Sequence, residues 1–68
     1  MKYRKGFTFE VVGNNLYGTM NGTVDKLFGE PVYSVSFYEK FGGAHYATYM
    51  VCESTITDNI KNKGYKEV

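Results

Sequence analysis

Residues 5–13, KGFTFEVVG, alternate apolar and polar positions. Phe7, Phe9 and Val11 fall on one side, and Thr8, Glu10 and Val12 on the other. That period of two is the mark of a half-buried strand, and Gly13-Asn14-Asn15 ends it. The next stretch, LYGTMNG, interrupts the alternation with two glycines and an Asn21-Gly22 turn signal, so a loop or loose ribbon is predicted over 16–22. A second strand is predicted over TVDKLF, centred on Val24. A turn follows at Gly29-Glu30-Pro31, where Pro31 suits the start of a strand. VYSVSFYEK predicts the third strand, with Tyr33, Val35 and Phe37 on one face and Val32, Ser34, Ser36 and Tyr38 on the other. After the FGGA turn, HYATYMV predicts the fourth: Ala47, Tyr49 and Val51 against Tyr46, Thr48 and Met50. Glu53 to Ile56 predicts a single helical turn, a short 3₁₀ turn near 53–57, with Ile56 tucked into the core. Residues 58–68 read as a C-terminal tail, with a short last strand near Ile60 or a loose end, because Asn62, Gly64 and three lysines dilute the pattern.

The expectation is a single all-β domain over 1–68, its core within about 5–57. Five short strands would close into a small barrel, and closure would remove the strand edges that an open sheet leaves exposed. Its predicted core is Phe7, Phe9, Val11, Val24, Tyr33, Val35, Phe37, Ala47, Tyr49, Val51 and Ile56. A 68-residue chain buries a modest share of its unfolded surface and needs dense packing or another aid to stability. Its seven Tyr and five Phe supply large apolar areas.

Chemistry-bearing residues are sparse. Cys52 is the only cysteine, so no disulfide forms within the chain, and an idle thiol in a reducing compartment is the reading. Cys52 and His45 alone do not make a zinc site. On one straight strand they would stand on opposite faces roughly 23 Å apart, which excludes a Cys/His nucleophilic pair. No carboxylate pair, phosphate-binding loop or catalytic set is present, so no enzyme activity, metal or cofactor is expected. The formal net charge is +1. Lys2, Arg4 and Lys5 lie at one end of the chain and Lys61, Lys63 and Lys66 at the other; meeting termini would merge them into one basic area. MKYRKGFTFE does not lead into a long apolar run, and no stretch has the length of a membrane span, so a cytoplasmic protein without membrane association is expected.

The run of strands resembles SH3-like small barrels, including the KOW and Tudor-type branches. It is carried by the Lys5–Val12 strand, Gly22-Thr23-Val24, Tyr33-x-Val35-x-Phe37 and Glu53-x-x-Ile56, covering roughly residues 5–57. The resemblance implies a binding role, and many small proteins of this kind come from phages and mobile elements. One small dihydrofolate reductase is also built on this barrel, but its V-Q-I-Y motif is not matched by ATYMV here, so its substrate-binding residues do not carry over.

Both faces of the third and fourth strands carry large side chains, and a barrel needs only one apolar set. The surplus, Tyr17, Tyr38, Phe41, Tyr46 and Met50, with His45 at the turn, is read as a contact surface for a protein partner; self-association through the same patch belongs to this reading. The alternative reading is a nucleic-acid-binding barrel that stacks Tyr on bases beside Lys2, Arg4, Lys5, Lys61 and Lys63.

Overall fold

The computed structural model describes residues 2–68; Met1 lies outside the described residues. Its elements are β1 (Thr8–Val11), β2 (Leu16–Leu27), β3 (Glu30–Glu39), β4 (His45–Cys52), α1 (Glu53–Lys61) and β5 (Tyr65–Glu67). The five strands form one antiparallel sheet in the order β4-β3-β2-β1-β5. The chain is thus mostly β, as the alternation predicts, but the expected barrel does not close. β4 and β5 are opposite edges of an open sheet. The reason is α1. It leads the chain away from the β4 edge toward β5 at the other, and its Ile56, fully buried, occupies the core on one face.

Alternation sorts the sheet into two faces. The helix side holds Phe9, Met20, Tyr33, Val35 and Phe37, closed by Ile56 and by Tyr3 and Phe7 of the N-terminal segment. An unbroken series of ring contacts crosses it. Tyr3 meets Tyr33 (5.8 Å between centroids) and Phe7 (5.1 Å); Phe9 meets Phe7, Phe37 and, stacked at 4.2 Å, Tyr65. Tyr65 anchors the C-terminal segment to the core. It brings β5 alongside β1, where Val11 pairs with Tyr65 and Phe9 with Glu67.

Several expectations are corrected. Residues 16–22 are not a loop but the first part of β2. Gly18 lies opposite Phe9, and a Cβ there would come within 2.4 Å of the Phe9 ring, so the glycine makes room for the aromatic rather than for a turn. Asn21-Gly22 marks a β-bulge, since the register of β2 on β3 shifts between Met20 and Thr23 and again before Asp25. The tight turn between β2 and β3 is Phe28-Gly29, not 29–31, because Leu27 already pairs with Glu30.

The 3₁₀ turn expected near 53–57 is the start of a nine-residue α-helix, and the tail expected over 58–68 is its end plus β5. The helix sequence, ESTITDNIK, has weak intrinsic preference. Tertiary contacts hold it instead. The Cys52 N-cap makes no side-chain hydrogen bond, and the Ser54 N–H donates to the Glu30 carboxylate at the start of β3. In the core list, Val24 and Tyr49 prove exposed and Val11, Ala47 and Val51 only half-buried, while Tyr3, Met20 and Val32 are buried. As an edge strand of an open sheet, β4 has a neighbouring strand on one side only, which accounts for Ala47, Tyr49 and Val51.

Candidate functional site

The outer face of the sheet is built from the polar positions of the alternation. Register places Thr8, Thr19, Ser36 and Thr48 side by side across four strands. Their hydroxyls satisfy one another. Thr8 and Thr19 are 3.2 Å apart, as are Ser36 and Thr48, and the Asn21 side-chain amide donates to Ser36 at 2.7 Å. Two residues along β1, β2 and β3, and three along β4 because of a bulge, Glu10, Tyr17, Tyr38 and His45 form a parallel row on the same face. The Tyr38 and His45 rings meet edge to face at 5.4 Å, and His45 Nε2 lies 2.9 Å from the Thr48 hydroxyl. At the row's other end, Lys40 bonds Glu10 at 2.6 Å. That hydrogen bond lowers the Glu10 pKa and raises that of Lys40. Three predicted contact residues, Tyr17, Tyr38 and His45, are therefore neighbours in space.

Phe41 and Tyr46 are placed elsewhere, and Met50 lies further along β4, opposite Ser34. Phe41 and Tyr46 line a hollow at the opposite end of the β3–β4 hairpin from the helix start, with Leu16, Glu39, Asn14 and Asn15. Tyr46 occupies a β-bulge, since Phe37 pairs with Ala47 and Tyr38 with His45, and the extra residue redirects its side chain. The hollow continues on the helix side as an apolar groove of about 330 Å³ floored by Val11, Leu16, Phe37, Tyr49, Val51 and Tyr65. Phe41, Tyr46 and Tyr49 are 73%, 60% and 54% exposed. The two ring sets thus flank the β3–β4 turn, one on each face. Tyr49 belongs with them but escaped sequence reasoning, which gave it to the core of a closed barrel; nothing in the alternation signals that the barrel stays open.

The predicted basic area does not form as one unit. The Lys2 backbone N–H donates to Glu53 at the first residue of α1, and the Tyr3 hydroxyl lies 2.8 Å from that of Thr57. Lys61 and Lys63 sit at the far end of the helix, where Gly64 joins Val12. About 12 Å of helical rise separates the two groups. Lys66 lies opposite Glu10 in β5.

At the N-terminal end of α1, the Tyr33 hydroxyl accepts the backbone N–H groups of Lys2 (3.2 Å) and Tyr3 (3.1 Å) and donates to Glu53 at 2.6 Å. Burial, then the bond to Glu53, raises the Tyr33 pKa; the same bond, helped by Lys2, lowers that of Glu53. This arrangement holds the N-terminal segment against the core.

A further feature went unread in the chain. β2 and β3 run past the ends of β1 and β4 as a two-stranded ribbon. Its tip carries Phe28, 98% exposed, at a positive φ of 50°.

Cys52 and His45 stand at opposite ends of β4. Among the described residues no three His, Cys, Asp or Glu side chains gather into a metal-binding group, and no helix is long and apolar enough to cross a membrane. The fold and site define a small all-β protein, an open five-stranded antiparallel sheet with one covering helix. Compared with protein-family models, curated proteins and solved structures, the chain matches none of them.

Proposed function

We propose that this chain is a non-enzymatic binding module, a small modulator or inhibitor acting in the cytoplasm on a protein partner through the rings around the β3–β4 turn. One observation carries the reading: Phe41, Tyr46 and Tyr49 are half or more exposed beside an apolar groove that α1 leaves uncovered. Clustered exposed rings beside a concave apolar floor are costly to hydrate and supply large contact area at low entropy cost. Tyr17, Tyr38 and His45 extend the surface on the other face. Their hydroxyl neighbours already pair with one another, so that side contributes area and shape more than unmet hydrogen bonds. The SH3-like kinship and the phage or mobile-element source are part of this proposal. The kinship draws on the order of elements, four strands, then a helix opening at Glu53, then a final strand beside the first, and the source rests on the sequence resemblance alone.

The nucleic-acid reading receives less support, because Lys2, Arg4 and Lys5 lie away from Lys61 and Lys63 and away from the Tyr row. The two readings separate in one experiment: capture from a bacterial lysate with and without nuclease, using wild type and the Phe41→Ala/Tyr46→Ala double variant. The proposal expects a stoichiometric protein that survives nuclease and is lost with the double variant while the melting transition stays cooperative. Capture that vanishes with nuclease and with Lys61→Gln/Lys63→Gln would overturn it.

A further inference from the structure

The two edges of the sheet are built differently. β5 is three residues long, with Lys66 and Glu67 in it. A short, charged strand is a poor template for another chain. β4 is eight residues, HYATYMVC, with no Lys, Arg, Asp, Glu or Pro. It has none of the devices that usually blunt an edge, and its large side chains are exposed on both faces: Tyr49 on the helix side and Met50, 72% exposed, on the outer side.

The backbone phase of this edge follows from the β3–β4 turn. Glu39 donates its N–H to the Ala44 carbonyl, and its own carbonyl accepts the N–H of Gly43. Glu39 therefore turns both backbone groups toward β4. Lys40 turns its N–H the other way, to Asn15 beside β2. Alternation along β3 makes Phe37, Val35 and Tyr33 face β4 as Glu39 does, so their partners Ala47, Tyr49 and Val51 have their N–H and C=O groups taken. The same groups of Thr48 and Met50 point outward from the sheet.

We propose that β4 pairs antiparallel with β4 of a second copy of this chain, joining two sheets across a two-fold axis through the N–H and C=O groups of Thr48 and Met50. The choice of a second copy rests on self-complementarity. An isologous contact sets each strand against itself, which a charged strand resists; β4 brings no carboxylate, ammonium or guanidinium into it. Any register that pairs the open backbone groups sets Thr48 and Met50 against the same outward set of the second copy, and Ala47, Tyr49 and Val51 against the same helix-side set. Tyr, Met and Val are thereby covered on both faces at once. A chain this small also gains burial that its own core does not supply. The proposal concerns backbone at Thr48 and Met50 and does not depend on the partner-binding reading, whose variants lie at Phe41 and Tyr46.

Sedimentation equilibrium of the purified full chain, from about 10 µM to about 1 mM, tests it, because self-association is concentration-dependent by mass action. Wild type is expected to move from monomer to dimer mass across that range. Met50→Pro removes one outward N–H that β3 does not use, and is expected to stay monomeric with an unchanged far-UV spectrum. Should that variant not fold, Met50→Lys keeps the backbone and places a charge on the edge; at least tenfold weaker dimerisation is expected. Monomer mass for wild type at every concentration would overturn the proposal. So would a dimer that persists in a folded Met50→Pro or Met50→Lys protein, or an edge that takes only the strand of a different protein.

Discussion

Phe28 holds a left-handed backbone, φ 50°, directly before Gly29 at φ 78°, in a two-residue turn. Such hairpin turns favour Asn-Gly, since a bulky L-residue at positive φ meets its own carbonyl. Nothing is gained from burial here, because the ring is almost wholly in solvent. Phe28→Asn is therefore expected to raise unfolding stability by up to about 1 kcal/mol in urea denaturation. A loss of stability would mean that the ring packs on the ribbon. Tyr33 presents the opposite case, a buried polar tip with three partners. Tyr33→Phe leaves the Tyr3 N–H buried without an acceptor and is expected to cost about 1–3 kcal/mol. An unchanged midpoint would mean that water replaces the hydroxyl. Its partner Glu53 has a folded pKa below the ordinary 4.5, so its contribution is present above that value and is lost as pH falls through the lower folded value. Melting temperature should thus drop in acid below about pH 4.5, and the drop should be shallower in Glu53→Gln. Equal acid slopes would remove Glu53 from the account.

Among the elements, β1, β3 and β4 were legible from alternation alone, since Phe7-x-Phe9, Tyr33-x-Val35-x-Phe37 and Ala47-x-Tyr49-x-Val51 each keep one side throughout. β2 was only half legible. Gly18 looks like a turn residue until the Phe9 ring above it is known, and Asn21-Gly22 signals a turn and a bulge alike. α1 was hardest to read. Ile56 and Ile60 are its only apolar residues, spaced by one helical turn, and Thr55, Thr57, Asp58 and Asn59 argue against a helix. What holds the helix is remote in sequence: the Glu30 carboxylate at its start and the core around Ile56. Within the site, Tyr38, Phe41, His45 and Tyr46 were legible as flanking the β3–β4 turn, whereas Tyr17, expected in a loop over 16–22, comes beside Tyr38 only because that segment is part of β2, and the separation of Phe41 and Tyr46 from the other rings by the sheet itself required the bulge at Tyr46. Tyr49 was out of reach, because its exposure depends on a barrel that does not close.

At the scale of the molecule, an open sheet is the central claim, since the exposed rings of β4, the uncovered groove and the free edge all depend on it. A closed barrel would bury Tyr49 and pair the outward groups of Thr48 and Met50 within the chain. Amide hydrogen exchange followed residue by residue in dilute solution distinguishes the two directly. The open sheet predicts slow exchange at Ala47, Tyr49 and Val51, which face β3, alternating with fast exchange at Thr48 and Met50. Uniformly slow exchange across residues 47–51 that persists on further dilution would mean a strand bonded on both sides within one chain, and would contradict the account.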